Sequence, residues 1–179
     1  MVGLGNPGDR YARTRHNIGF EVAKLAAERW GLPRAKKKYG GLYAEGGSRV
    51  AVLLPQTYMN DSGKSVGPAR GALRVELDRV VVVHDEIDLP FGRVEARLGG
   101  GLAGHNGLRA VREGLGSPDF RRVRVGVGRP DSTDPDIVSA HVLGHFSESK
   151  DDVRELIERA ADELERLVVE VPSREQSSG

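Results

Sequence analysis

The stretch "RVVVVHDE" at residues 79–86 decides the predicted fold. Four successive valines without polar alternation indicate a strand that is covered on both faces, as in the parallel sheets of α/β proteins. The run "VAVLL" within a predicted strand over residues 49–54 has the same character, and residues 1–4 and 120–127 complete four predicted strands. In the last strand, "FRRVRVGV", valine alternates with arginine, which predicts one face on the core and one exposed arginine face.

Helical spacing of apolar residues occurs between and after these strands. It predicts helices over residues 18–30, 62–73 and 107–115, and a long amphipathic helix from about Val153 to Val168. Strands that alternate with helices predict an α/β fold with a twisted, mixed but mostly parallel sheet sandwiched between helices.

The chain is predicted to form a single domain over residues 1–171 that ends in the amphipathic helix. The polar segment 172–179 has nothing to bury and is predicted to be a disordered tail. A chain of 179 residues with 38% apolar residues is long enough for one ordinary core.

Composition also limits the chemistry that is available. Cysteine is absent, which excludes disulfides, thiol nucleophiles and thiolate metal sites. No charged leader opens the sequence, and no apolar run approaches the roughly 20 residues that span a bilayer. We therefore expect a cytoplasmic protein without membrane contact.

Charge is unevenly distributed, although the net charge is only +1. Residues 93–129 contain eight arginines and three acidic residues, whereas residues 148–175 contain ten acidic and five basic residues. The arginines are either a surface for an anion such as RNA or ordinary solvated side chains, and composition leaves both interpretations open. Three lysines at residues 36–38 are interpreted as a solvated loop.

Three familiar motifs match in letters but not in context. The stretch "GLGNPG" at residues 3–8 fits a dinucleotide-binding fingerprint, but a helical pattern follows where a second strand ending in an acid is expected. The "GKS" at residues 63–65 lacks the first glycine of a phosphate-binding loop, because residue 58 is tyrosine. His141 and His145 have no acidic residue between them, so they are interpreted as surface histidines rather than zinc ligands.

The chemistry that remains is a histidine that activates water. Imidazole, with an ordinary pKa of about 6.5, accepts a proton from water near neutral pH, and a carboxylate on its other nitrogen orients it. Ligands of α/β sheets bind beyond the carboxyl ends of the strands. Two histidines compete for the role there: His16, at the head of the first predicted helix, and His84, beside Asp85 at a strand end.

Asparagines recur at the same predicted edge. The four are Asn6, Asn17, Asn60 and Asn106. An uncharged amide both donates and accepts hydrogen bonds, which suits a peptide backbone or an oxyanion. Each of these positions also suits a turn or a helix start, so both interpretations stay open. The glycines at residues 99–101 are either a mobile gate or a plain connection.

Five motifs in this order resemble those of bacterial peptidyl-tRNA hydrolases. They are "VGLGNPG…Y…TRHNIGF", "PQTYMNDSGKSV", "VVHDEIDLPFG", "GGGLAGHNGLR" and "DFRRVRVGVGRP", and the match covers about residues 2–146. The resemblance implies a monomeric α/β enzyme that needs no metal or cofactor. It implies hydrolysis of the ester between a peptide, or an N-blocked aminoacyl group, and the 3′ end of tRNA, which recycles tRNA from prematurely released peptidyl-tRNA.

The resemblance also implies roles for single residues. His16 matches the general base that activates water, Asp85 the carboxylate that orients it, and Asn6 a catalytic amide. The implied substrate-binding residues are Tyr11, Met59, Asn60, His105 and Asn106, and the implied tRNA-binding residues are Arg97 and Arg124.

Two departures from the family pattern limit these expectations. The chain begins at Met1, so its first strand is shorter than the family's, and either the start is trimmed or Met1 replaces the lost strand. Glu95 lies where a lysine is common, which weakens that part of the RNA surface. The alternatives are a noncatalytic RNA-binding module on the same fold, against which intact His16 and Asp85 argue, and a hydrolase of other esters or acylated amines.

Overall fold

The computed structural model describes residues 1–47, 49–102 and 104–170, and the segment 172–179 that was predicted to be disordered lies outside them. The described residues form one sheet of seven strands: β1 (Val2–Gly3), β2 (Lys36–Lys38), β3 (Gly41–Gly46), β4 (Val50–Pro55), β5 (Val81–Glu86), β6 (Val94–Leu98) and β7 (Arg121–Gly126). The five helices are α1 (Ile18–Arg29), α2 (Gly63–Leu73), α3 (Asn106–Leu115), α4 (Pro135–Val142) and α5 (Lys150–Glu170).

The strand order in the sheet is β2-β3-β4-β1-β5-β7-β6. The four central strands, β4, β1, β5 and β7, run parallel to one another. Antiparallel pairs complete both edges of the sheet. On one side β3 pairs with β4 and β2 pairs with β3, and on the other side β6 pairs with β7. The predicted α/β fold with a mixed sheet is therefore confirmed.

The valine run of β5 fills the core on both sides of the sheet. Val82 packs with residues of α2 and α3, whereas Val81 and Val83 pack with residues of α1 and α5. Complete burial of a valine side chain is worth roughly 1.5–3 kcal/mol relative to its exposure, so this strand holds both helix layers on the sheet. Among the described helices, none is both long enough and apolar enough to cross a membrane.

Glycine brings α2 and α3 into close contact. A Cβ atom at Gly63 would collide with the carbonyl group of Ala110, and one at Gly114 would collide with the backbone of Gly63. The glycine of the "GKS" stretch is therefore needed where two helix backbones meet, which accounts for it without a phosphate-binding loop.

Short elements differ most from the predictions. Lys36–Lys38 forms the exposed edge strand β2 instead of the predicted loop, and the ammonium of Lys38 lies 5.1 Å from the ring centre of Tyr39. Charged residues on an edge strand oppose pairing with another chain. The strands β3 and β6 and the helix α4 were not predicted, because a period is hard to recognise over five to eight residues. Met1 continues the pairing of the short β1, since its carbonyl accepts the Leu53 N–H at 2.9 Å.

The prediction of an exposed arginine face on β7 is wrong. Arg122 is 1% exposed, and its guanidinium donates hydrogen bonds of 2.8–3.1 Å to the carbonyl oxygens of Gly99 and Gly101. Arg124 is 9% exposed and donates to a carboxylate oxygen of Glu95 at 2.9 Å. These partners belong to the glycine loop at residues 99–101 and to the neighbouring strand β6. The loop was expected from the sequence, but its contact with Arg122 was not, and β6 was not predicted.

Candidate active site

A cavity of about 470 Å³ lies beyond the carboxyl ends of β1, β4 and β5. This is where α/β sheets bind their ligands. Seven residues for which the resemblance implies a role line the cavity: Asn6, His16, Met59, Asn60, Asp85, His105 and Asn106. The topology therefore brings to one place side chains that are up to 100 residues apart in the sequence.

His16 and Asp85 form a hydrogen-bonded pair in this cavity. His16 belongs to the 3-10 turn Arg15–Asn17 that leads into α1, and Asp85 lies near the end of β5. The Nδ1 atom of His16 is 3.0 Å from Oδ1 and 2.9 Å from Oδ2 of Asp85.

The charge of Asp85 is stabilised although its side chain is buried. Burial acts to raise the pKa of Asp85, but the charges and hydrogen bonds of His16 and His105 outweigh it and hold this pKa well below its ordinary value. The carboxylate is therefore ionised near neutral pH and accepts hydrogen bonds from both imidazoles.

The same pairing sets the proton position on His16. Burial acts to lower the pKa of His16, but the charge of Asp85 and the hydrogen bond to it together raise this pKa above 6.5. Because the ionised carboxylate only accepts, Nδ1 of His16 carries the proton in the neutral ring. Its Nε2 atom is then unprotonated and is the nitrogen that can accept a proton from water.

His105 is a second imidazole on the same carboxylate. Its Nε2 atom lies 2.8 Å from Oδ1 of Asp85, and its Nδ1 atom accepts the N–H of Leu108 at 3.2 Å in the first turn of α3. A ring nitrogen that accepts an N–H is unprotonated, so Nε2 carries the proton and donates it to Asp85. His105 thus caps α3 through Nδ1 and holds Asp85 through Nε2.

His84, the other candidate base, is fully buried beneath this group and is not among the described residues that line the cavity. Its Nδ1 atom donates to the main-chain carbonyl of Asp85 at 2.8 Å, and its ring lies edge-on to that of His105 at 5.2 Å. Burial, with a smaller contribution from His105, lowers the pKa of His84 to about 3. Of the two histidines, His16 is the one that reaches the cavity.

The amide of Asn6 has a defined orientation. Its Oδ1 atom accepts the main-chain N–H of Met59 at 2.7 Å, in the turn that follows β4. Since the oxygen of the amide faces Met59, the Nδ2 group is left as the donor of this side chain. Asn60 and Asn106 are exposed at the cavity surface, and the helix cap of α3 is His105 rather than Asn106.

Three implied residues lie outside the described lining of the cavity. The ring of Tyr11 meets the ring of the lining residue Tyr58 edge-on, with 6.5 Å between ring centres. Arg97 is exposed on β6. Arg124 lies on β7, and its Nε atom is 3.6 Å from Glu86, a residue that does line the cavity.

The helix α4 forms a wall of the cavity that the sequence reasoning missed. Val138 and Val142 line the cavity, and each of the eight helix residues is at least partly exposed. A signal for this helix is present in the sequence: Asp134 accepts the N–H of Asp136 at 2.8 Å as an N-cap, and Pro135 occupies the first position.

One cluster in the described part of the chain has three side chains that could together hold a metal ion. It consists of His16, Asp85 and His105, whose possible ligand atoms lie within 4.8 Å of one another. Such a group has the residue types of a metal site. In this structure both imidazoles instead donate hydrogen bonds to the carboxylate between them. The arrangement favours proton transfer to and from a ligand in the cavity.

Known proteins resemble this chain in sequence and structure. The chain matches the model of the family described as peptidyl-tRNA hydrolase over residues 1–178. The peptidyl-tRNA hydrolase of Mycobacterium avium (strain 104) is 49% identical over 174 residues, which cover 94% of this chain and 90% of that relative. The corresponding protein of Syntrophotalea carbinolica is 48% identical over 172 residues, or 94% of this chain and 89% of the relative.

The crystal structure of peptidyl-tRNA hydrolase from Acinetobacter baumannii has the same fold, with a TM-score of 0.84 and 37% sequence identity over 94% of this chain and 87% of that chain. Sequence identity near one half over almost the whole length, together with this agreement in structure, identifies the family. The chain therefore belongs to the peptidyl-tRNA hydrolase family.

Proposed function

We propose that the protein hydrolyses the ester bond between a peptide, or an N-blocked aminoacyl group, and the 3′ end of tRNA. It would thereby recycle tRNA from prematurely released peptidyl-tRNA. Membership of the peptidyl-tRNA hydrolase family supports this substrate. The observation that carries the reaction type is the buried, ionised Asp85 at 2.9 Å from Nδ1 of His16, whose Nε2 atom is free to act as a base at the cavity.

In the first proposed step, Nε2 of His16 takes a proton from water, and the water oxygen attacks the ester carbonyl carbon. The imidazolium that forms is stabilised by Asp85, which also keeps the ring in the tautomer that this step needs. A positioned general base contributes roughly 10²–10⁴-fold to the rate.

The negative charge that develops on the carbonyl oxygen needs a donor. Asn6 is proposed for this role, because its amide oxygen is occupied by the N–H of Met59 and its Nδ2 group is the donor that remains. An uncharged amide donates without titrating. The tetrahedral intermediate then breaks its bond to the ribose oxygen, which takes the proton from the His16 imidazolium, so that the products are a free peptide carboxyl and a free 3′ hydroxyl.

The remaining residues at the cavity are proposed to hold the substrate. Asn60 and Asn106 offer exposed amides that can pair with a peptide backbone. Three further residues are proposed to contact the substrate around the reacting ester: Met59, Tyr11 and His105. His105 would also act through its hydrogen bond to Asp85.

The proposed tRNA contacts are Arg97 and Arg124. Arg97 is exposed on the edge strand β6. Arg124 lies on the neighbouring strand β7, opposite Glu95 and close to the cavity-lining Glu86. Arginine contacts to phosphate make affinity fall as salt rises. Since His16, Asp85 and Asn6 all come from one chain, we further propose that the protein acts as a monomer. We propose that it acts in the cytoplasm, where its substrate arises. The proposed steps use water and side chains alone.

The test compares the protein with His16→Ala on an N-acylated aminoacyl-tRNA, and measures both tRNA release and tRNA affinity. We expect kcat/KM to fall about 10²–10⁴-fold with little change in affinity. His145→Ala, which removes an exposed imidazole outside the described cavity lining, is the matched control and should keep full activity.

Undiminished turnover by His16→Ala would end the proposed mechanism. Tight tRNA binding without any cleavage by the unmodified protein would instead support the noncatalytic RNA-binding alternative. Rapid cleavage of a small free ester, with no advantage for the tRNA-linked one, would favour a hydrolase of other esters.

A further inference from the structure

Asn17 occupies the N-cap position of α1 but does not cap the helix. Its backbone has φ −95° and ψ 8°, and its side chain makes no capping hydrogen bond within α1, a helix that the structure describes in full. Asparagine at an N-cap ordinarily accepts a hydrogen bond from an N–H two or three residues further on. Asn17 is 3% exposed, so its amide must find other partners.

Those partners are the two main-chain groups of Asn6. The Oδ1 atom of Asn17 accepts the Asn6 N–H, and its Nδ2 atom donates to the Asn6 carbonyl oxygen, both at 2.9 Å. The two bonds fix which end of the Asn17 amide is oxygen and which is nitrogen, because an N–H must face an acceptor. Asn6 is thereby tied to a segment 11 residues later in the chain.

Asn6 is held at a third point by its own side chain. Its Oδ1 atom accepts the Met59 N–H at 2.7 Å, and the residue is 7% exposed. Asn17 restrains the backbone of Asn6, while Met59 restrains its amide oxygen. The two restraints together fix the amide of Asn6, a residue that lines the cavity, and leave its Nδ2 group as the remaining donor.

His16 and Asn17 are adjacent residues of the single turn Arg15–Asn17. The side chain of His16 reaches Asp85, and that of Asn17 reaches Asn6. The turn itself is held at its start, where the Arg15 N–H donates to the carbonyl of Gly144 at 3.0 Å. One dipeptide therefore connects the His-Asp pair with Asn6, whose amide is proposed as the donor.

We propose that Asn17 is a positioning residue, which sets the amide of Asn6 relative to the imidazole of His16. This inference rests on the roles proposed above for His16 and Asn6. Asn17 touches no reacting atom and acts through Asn6. Displacement of a reacting or donating group by about 1 Å costs on the order of 10²-fold in rate, so loss of this restraint should affect turnover more than substrate binding.

The test is a double-mutant cycle on an N-acylated aminoacyl-tRNA, with Asn17→Ala, Asn6→Ala and the double variant. We expect Asn17→Ala to lower kcat about 10- to 100-fold and to leave KM within about twofold. The double variant should have a kcat close to that of Asn6→Ala alone, because no amide is left to position. The acid limb of the pH–rate profile, which reports His16, should not move in Asn17→Ala.

Each other outcome has a defined meaning. Asn17→Ala with the kcat of the parent overturns the inference, and so do losses that multiply in the double variant. An Asn6→Ala protein with undiminished kcat would instead overturn the proposed role of Asn6, so the two failures are distinguishable. A role in folding alone would lower the urea midpoint of Asn17→Ala without any coupling to Asn6 in kcat.

Should Asn17→Ala fail to fold, Asn17→Asp tests the same point. It keeps an acceptor for the Asn6 N–H and loses the donor to the Asn6 carbonyl. We expect the same fall in kcat and the same absence of further loss in the Asn6→Ala background. A folded Asn17→Asp protein with full kcat overturns the inference as well.

Discussion

The Nε2 atom of His105 donates a hydrogen bond to Oδ1 of Asp85 at 2.8 Å, so the carboxylate that orients His16 is shared between two imidazoles. The other nitrogen of His105 accepts the N–H of Leu108 at the start of α3. Part of the negative charge of Asp85 is thus taken up by a donor other than His16. His105 should therefore moderate the basicity of His16.

Replacement of His105 tests this relationship. In His105→Ala, Asp85 loses the hydrogen bond from His105, so its negative charge acts more fully on His16. The already raised pKa of His16 should therefore rise further. The acid limb of the pH–rate profile should then move to higher pH. Loss of the cap on α3 should also lower the free energy of unfolding by about 1 kcal/mol, measured with urea. An acid limb that stays in place would contradict the shared-charge account.

Replacement of Asp85 should move the same limb in the opposite direction. In Asp85→Asn the charge that raises the pKa of His16 is gone, while the burial that lowers it remains. The base form of His16 would then persist to lower pH, so the acid limb should shift downward. The asparagine amide can also donate to Nδ1 and favour the wrong tautomer, so kcat should fall about 10²–10⁴-fold. A pH–rate profile and single-turnover rates measure both effects.

His84 should make the protein sensitive to acid. Its folded-state pKa of about 3 lies below the ordinary 6.5. Between these two pH values, His84 therefore binds a proton in the unfolded chain but not in the folded protein. Stability is fully present above pH 6.5 and is lost as pH falls toward the folded-state pKa. The contribution of this one group is about 1.4 kcal/mol per pH unit.

His84→Phe removes that contribution. The free energy of unfolding, measured by urea titration at a series of pH values from about 7 to 4, should fall less steeply in His84→Phe than in the parent. Other titrating groups are common to both proteins and cancel in the difference. Parallel curves for the two proteins would show that His84 is not kept neutral by the fold.

Glu95 should weaken the proposed tRNA surface. Its carboxylate accepts a hydrogen bond from Arg124 at 2.9 Å and so competes with phosphate for that guanidinium. Glu95→Gln should tighten tRNA binding about 2- to 10-fold at low salt, which corresponds to roughly 0.4–1.4 kcal/mol, and should steepen the salt dependence. Glu155→Gln, which breaks an ion pair with Arg159 on α5, is the matched control. Equal affinities for both variants and the parent would argue against Arg124 as a tRNA contact.

Much of the fold was predictable because it depends on local patterns. The valine run that ends at Val83 reflects a strand buried on both faces. The spacing of apolar residues in α1 and α5 reflects helices buried on one face. Burial of either kind leaves a recognisable pattern in the sequence. The strands β3 and β6 were missed, since each is short and is stabilised by pairing with a neighbour rather than by its own pattern. The burial of Arg122 was also missed, because its acceptors are carbonyl groups of a loop that meets β7 only in the folded chain.

The residue types of the site were also available from the sequence. Without cysteine, and with His16, Asp85 and four asparagines near predicted strand ends, water activation by an imidazole was the chemistry that remained. Spacing left both His16 and His84 as candidates, because a side chain at a strand end can face either the cavity or the core. The resemblance to a family favoured His16.

The sequence by itself determined the α/β class, the central strands, the main helices and the set of polar side chains at one edge of the sheet. Only the tertiary structure decided that Asp85 is shared by His16 and His105, that His84 is sealed below them, and that Asn17 holds Asn6 instead of capping α1. The physical reason is the range of the interactions. Periodic burial acts between neighbours in the chain, whereas these hydrogen bonds join strands and turns that meet only when the sheet has formed.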